Sequence, residues 1–305
     1  MILTLHKIYK PSLNLSSWVR ILLKKITDIK ELKLMANTIR QDIIKMLAEA
    51  KSGHTAGALG MADMFTGLFF NAMDLDPKNV DWEGRDYFVL SNGHICAVLY
   101  AAMANAGYFP REELMTFRKL GSRLQGHPHR KMLPGLETTS GPLGCGLSQA
   151  AGMAYAFKHD KKPNKVFCFL GDGELQEGNI WEGMMFAAKH KLDNLICAVD
   201  RNYIQIDGNT EDVMPLDPYD KKCQAFNWNT ITIDGNDMKE IVETFKKAKE
   251  NKGKPLMIIA RTVACKGICD IEGDCGWHGK PPTPEEAVDM LKELQQTRKT
   301  LEAKK

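Results

Sequence analysis

Residues 169–207 read FLGDGELQEGNIWEGMMFAAKHKLDNLICAVDRNYIQID. An apolar run closes on a Gly-Asp-Gly turn, a helical stretch follows, a second apolar run covers 194–200, and Asn202 comes just after it. This order predicts strand, helix and parallel strand. Asp172 and Asn202 stand thirty residues apart, about the length of one such unit. A parallel crossover brings both to the carboxyl edge of one sheet, where open α/β sheets bind ligands. One carboxylate and one amide oxygen suit magnesium, which takes few protein ligands and completes its shell with phosphate oxygens. Gly171 and Gly173 let the backbone approach a diphosphate closely.

Working outward, 28–50 reads as a helix capped by Asp28, with Glu31 three residues later. Helices are expected at 60–71, 94–106, 111–120, 147–159, 178–191, 237–251 and 284–303. Strands are expected at 87–90, 165–170, 194–200, 228–233 and 255–261. The Gly- and Pro-rich segment 121–146 and the polar segment 265–282 read as loops. Strands alternating with helices predict an α/β fold: a doubly wound, mainly parallel sheet flanked by helices, in one domain over 28–305. Residues 1–27 carry Lys7, Lys10, Arg20, Lys24 and Lys25 and no acid. They are expected to be a disordered basic extension; an organelle presequence or a membrane-surface contact remains an alternative.

A net charge of +3 excludes no partner by itself, but no basic-plus-aromatic pattern points to nucleic acid. No apolar run reaches the ~18 residues that span a bilayer. The eight cysteines are scattered, which fits a reducing, cytoplasmic setting better than a disulfide scaffold. Cys265, Cys269, Cys275 and His278 are spaced unlike a structural zinc site and read as loop thiols beside a histidine.

SGHTAGALGMADM (52–64), RDYFVLSNGH (85–94), LQGHP (124–128), TTSGPLGCGLSQAAGMA (138–154), GDGELQEGNIWE (171–182), DRNYIQIDG (200–208) and WHGKPP (277–282) together resemble the transketolase family, in the same order along the chain. The likeness runs over about residues 31–285 and implies thiamine diphosphate and Mg2+ as cofactors. It implies that Asp172, Asn202 and the Ile204 carbonyl hold the metal. Gly141, Pro142, Leu143, Gly171, Gly173 and Glu174 would lie against the cofactor, as would His94 and His278. It implies proton-transfer and sugar-binding roles for His54, His94, His127 and His278, with Thr55 standing where the motif usually has Pro. Glu177 is implied to face a partner subunit in a proton relay, with Glu182 on the same helix.

In this family the glutamate that activates the cofactor lies on a second, pyrimidine-binding domain, for which the sequence after 285 offers nothing. The chain therefore resembles the amino-terminal subunit of a split transketolase. An α2β2 assembly with a separate carboxyl-terminal subunit is expected, acting on sugar phosphates. The rivals are a synthase joining pyruvate to glyceraldehyde phosphate (1-deoxyxylulose-5-phosphate synthase-like) and a non-catalytic cofactor-binding module.

Overall fold

The apolar runs become strands covered on both sides. In β1 (Tyr87–Leu90), β2 (Val166–Gly171) and β3 (Leu195–Arg201) every residue except Tyr87 and Gly171 is buried. Continuous burial of this kind is what a parallel sheet between two helical layers demands. A computed structural model describes residues 23–303. After the short antiparallel pair β4 (Ile204–Gln205) and β5 (Gly208–Asn209) come β6 (Asn229–Asp234) and β7 (Leu256–Arg261). The main sheet is parallel throughout, in the order β1-β2-β3-β7-β6. Its register sets Gly171 opposite Asp200 and Asp200 opposite Ala260. The carboxyl ends of β2, β3 and β7 are therefore level, and the turns after them converge.

Side chains alternate between two cores. Phe167 and Phe169 face one layer, made by α1 (Ile29–Ala50), α2 (Ala56–Gly60), α3 (Ala62–Gly67), α4 (Cys96–Ala106), and two later helices, α9 (Met238–Lys249) and α10 (Pro284–Ala303). There Phe65 meets Phe88 and Phe169 edge-on, at 5.4 and 5.1 Å. Val166, Cys168 and Leu170 face α5 (Cys145–His159), α6 (Gly178–Lys189) and α8 (Tyr219–Ala225), which follows the single turn α7 (Thr210–Val213). The fold is the expected doubly wound α/β sheet, closed by α9 (Met238–Lys249) and α10 (Pro284–Ala303). Pro284 fills the first position of α10, and Thr283 and Glu286 cap it reciprocally.

The structure departs from expectation in places with local causes. The helix expected at 60–71 begins earlier and is broken into α2, α3 and a π turn at Leu68–Ala72. Its glycines are jammed against neighbours: a Cβ on Gly60 would lie 2.9 Å from the Val263 carbonyl oxygen, and one on Gly57 2.8 Å from Ile95. The helix expected at 111–120 is only the 3-10 stretch Arg111–Thr116. The pair β4–β5 and the helices α7 and α8 have no counterpart among the expected elements. Of the expected extension, residues 1–22 lie outside the described part. Residues 23–27 join the body: Leu23 N–H donates to the Leu75 carbonyl (3.1 Å), Ile26 N–H to that of Phe70 (2.8 Å), and Lys25 pairs with Asp74 (2.7 Å).

Candidate functional site

A cavity of about 370 Å3 opens at the carboxyl ends of β1, β2 and β3. That volume suits a small-molecule cofactor. A larger hollow of about 630 Å3 between Met185 and Phe226 has no acid or histidine in its wall and is set aside on chemical grounds.

The acidic end of the cavity is built by the sheet. Asp172 is 1% exposed, yet the chain meets it on both oxygens. Gly173 N–H donates to Oδ1 at 2.8 Å, and Tyr203 N–H and Arg201 Nη1 donate to Oδ2 at 2.7 and 3.2 Å. Tyr203 reaches it by adopting a left-handed φ of +63°. Asp200 lies beside it, accepting from Thr262 Oγ1 on one oxygen and from Asn202 Nδ2 (3.0 Å) on the other. Asn202 Oδ1 accepts from Ile204 N–H at 2.9 Å. Burial pushes the Asp172 carboxyl up to about 6 against the pull of Arg201. Burial, with the neighbouring Asp172 charge added, pushes Asp200 up to about 7. Two buried acids that repel one another, with one guanidinium between Asp172, Glu211 and Asp217, form a place that a dication would relieve.

Gly173 and Glu174 do not open a long helix. They begin a 3-10 turn, Gly173–Gln176, and α6 starts only at Gly178 because Glu177 is extended (φ −72°, ψ 133°). Glu174 lines the cavity as expected, and its carboxylate also has a structural task. Its carboxylate turns into the protein, accepting from Ser91 Oγ and Gly144 N–H (2.6 Å) on Oε1 and from Gly171 N–H (3.0 Å) on Oε2. It thus ties the ends of β1 and β2 to the start of α5. Gly144 has φ +81°, and a Cβ there would lie 1.9 Å from Asn179 Oδ1, so this glycine is fixed by space as well as by conformation. Gly141 and Leu143 line the cavity; Pro142 is exposed and off its wall.

At the other end, His54, His94 and His278 form a triangle of rings with centroids 4.9, 5.6 and 5.4 Å apart. His127 lines the same space. These residues come from four separate loops. Burial, then His278, Arg118 and His127, lowers His54 to about 4. Burial and the neighbouring histidines lower His94 to about 3. His127 and His278 are also lowered, chiefly by burial. His54 is aimed by Gly53, at φ +134° and packed on Leu47 with no room for a Cβ. Thr55, expected to be a departure from the family motif, is a tether: its Oγ1 donates to the Lys280 carbonyl at 2.5 Å and holds the WHGK loop on the SGHT loop.

The cavity thus gathers His54, His94, His127, His278, Gly141, Leu143, Gly171, Asp172, Gly173, Glu174, Asn202 and Ile204. Glu177, just before α6, and Glu182, on it, are exposed and lie outside the cavity wall. Asn92, Asp200, Arg201 and Thr262 received no role from sequence reasoning. Asn92 and Asp200 stand inside the motifs SNGH and DRN, which was their only signal. Asn92 Oδ1 and His54 Nδ1 are buried without a protein partner, and both residues line the cavity, as groups awaiting a ligand would. Cys265 is buried while Cys269 and Cys275 are exposed. Among the described residues no cluster of three or more His, Cys, Asp or Glu is arranged to hold a metal.

Residues 31–301 match the family model described as "Transketolase, thiamine diphosphate binding domain". The chain belongs to the transketolase family. It is 40% identical over 265 residues to a 6-deoxy-6-sulfo-D-fructose transketolase subunit of Clostridium sp., covering 87% of this chain and 96% of that one. It is 39% identical to an apulose-4-phosphate transketolase subunit of Actinobacillus succinogenes, with the same shares covered. The solved transketolase of Leishmania mexicana superposes with a TM-score of 0.80 at 31% identity, over 91% of this chain but only 45% of the other. This transketolase-family chain therefore matches whole subunits in some relatives and less than half of a longer polypeptide in others.

Proposed function

We propose that this chain is the diphosphate-binding subunit of a two-subunit transketolase. With a carboxyl-terminal subunit, in an α2β2 assembly, it transfers a two-carbon ketol unit from a ketose phosphate to an aldose phosphate. The observation that carries this reading is one cavity holding a buried acid pair at one end and a histidine triangle at the other. The relatives named as sulfofructose and apulose-4-phosphate transketolase subunits support a ketose with an anionic end as donor.

Asp172 and Asn202 would hold Mg2+ with the Ile204 carbonyl, and Gly171 and Gly173, without side chains, would let the diphosphate approach the backbone closely. Thiamine diphosphate supplies the nucleophilic carbon and the electron sink for C–C cleavage. The chain's own work is positioning and proton transfer. His54 and His278 remain neutral near pH 7, so each can accept a sugar hydroxyl's proton as that carbon becomes a carbonyl, and return it to the acceptor. His94 and His127 hydrogen-bond the donor and close off water. Exposed Glu177 is available to a neighbouring subunit. Eight free cysteines support a reducing, cytoplasmic location, and among the described residues no helix is long and apolar enough to cross a membrane.

The test is reconstitution. Purified chain mixed with a pyrimidine-domain subunit, thiamine diphosphate and Mg2+ is expected to transfer ketol units from xylulose 5-phosphate or a related ketose phosphate. Turnover of pyruvate in place of every ketose would establish the synthase reading. Inertness with all donors would establish a binding module.

A further inference from the structure

Arg118 lies between two of the four histidine loops, and its backbone is strained to put it there. Its φ is +59°, a left-handed conformation in which glycine is at ease and a side chain is not. Nη1 donates to Ser52 Oγ at 2.6 Å and Nη2 to the Gly126 carbonyl at 3.2 Å. Ser52 is two residues before His54, and Gly126 directly precedes His127. Nε is buried with no protein partner. Arg40, Arg85, Arg111, Arg123 and Arg201 each pair with an acid, whereas among the described residues Arg118 pairs with none. Gly126 is shaped to receive it: a Cβ there would lie 2.9 Å from Arg118 Nε and 3.1 Å from Cζ.

We propose that Arg118 is a positioning residue that fastens the SGH loop (52–54) to the GH turn (126–127) and thereby fixes two imidazoles across the cavity. Its importance for turnover rests on the transketolase reading above; the fastening itself does not. The guanidinium supports the same assignment electrically. After burial and His278 it is the next influence holding His54 unprotonated, and after burial it is the one holding His127 so. The groups facing this region include His94, His278, and the Cys96 thiol and Tyr100 hydroxyl of α4, both raised by burial, and none supplies a negative charge near neutral pH.

The test uses the full chain with labelled histidine, titrated by NMR. In the unaltered chain His54 and His127 are expected to titrate below the ordinary value. Arg118→Met keeps the stem but removes charge and donors. Both midpoints should rise while staying below the ordinary value, because burial still holds them down, and the amide signals of 52–54 and 126–127 should move. Arg118→Lys keeps the charge but not the fork, so midpoints should stay low while the amide signals move. Gly126→Ala, which displaces the guanidinium without removing it, reads the same contact should the Met variant fail to fold. In the assembled enzyme, Arg118→Met is expected to lower kcat about 10²-fold with cofactor affinity unchanged, and Arg118→Lys to recover part of that. Unmoved midpoints and amide signals in the Met variant, or in Gly126→Ala if the Met variant does not fold, would overturn the proposal. An unaltered enzyme inert toward every ketose would sink the functional reading instead and leave the titration standing.

Discussion

At its acidic end the cavity is held by the sheet: β2 and β3 lie in register, Gly171 opposite Asp200, and Asp172 is met by donors from Gly173, Tyr203 and Arg201. At its histidine end four loops, far apart in sequence, are joined by a few side-chain bonds, Thr55 to Lys280 and Arg118 to Ser52 and Gly126. The first end is rigid because a strand shift would break many ladder bonds at once. The second rests on fewer bonds, one from Thr55 and two from Arg118. Such a division suits a site that must anchor one constant group and accommodate changing sugars.

The sharpest way to break this contrast is at the rigid end. Asp172→Ala should abolish magnesium-dependent binding of thiamine diphosphate to the assembled enzyme. The loss should exceed the roughly 100-fold typical of an outer metal partner. Calorimetry showing binding within a few-fold of normal would remove Asp172 from the metal. At the other end, His54→Ala or His278→Ala should lower kcat by about 10²-fold or more, the range of general acid–base contributions, with cofactor affinity falling far less than in Asp172→Ala. Loss of affinity without loss of kcat would recast both as binding groups.

A smaller effect tests the junction between the ends. Glu174→Ala strands the Ser91 hydroxyl and the Gly144 and Gly171 N–H groups. It should destabilise the chain by roughly 3 kcal/mol in chemical denaturation, since each stranded buried donor costs about 1–3 kcal/mol. No change in the midpoint would show that the carboxylate does not clamp the strands. Thr55→Val should cost about 1 kcal/mol and raise KM more than it lowers kcat.

The histidines also give a pH signature. In the unfolded chain they titrate near 6.5, but in the folded chain His54 and His94 hold out to about 4 and about 3. Below about pH 6.5 these two residues therefore bind more protons in the unfolded state, and their contribution to stability falls as pH drops toward the folded values. Above 6.5 their contribution is constant. Asp172 and Asp200, raised by burial, take up protons in the folded chain over the same range and oppose this trend, so the check is NMR titration of the rings themselves: midpoints near 6.5 would contradict their burial. Bound diphosphate or an anionic sugar should raise both titrations, because a nearby negative charge favours imidazolium.

Much of this was legible in the chain. The stretches 166–170 and 195–199 are continuous apolar runs, and the glycines and Asp172 punctuate the first so clearly that the sheet edge could be read directly. The histidines were found through motif words. What could not be read depends on contacts between distant segments. Glu174 looks like any first-turn acid until Ser91 and Gly144 are seen to surround it. Arg201 looks like a strand-end surface cation until Asp172 and Glu211 close on it. The broken helix at 56–72 has a helical pattern, and only the press of Val263 and Ile95 on its glycines divides it. The segment 203–225 folds into small elements whose polar side chains cap one another, a pattern without apolar periodicity to announce it.

The central claim is most directly tested by diffraction from the assembled enzyme crystallised with thiamine diphosphate and Mn2+ in place of Mg2+. The account predicts an anomalous peak bonded to Asp172, Asn202 and the Ile204 carbonyl, with the diphosphate completing its shell. A peak elsewhere, or none while the cofactor is bound and Asp172 still rests on Arg201, would contradict it.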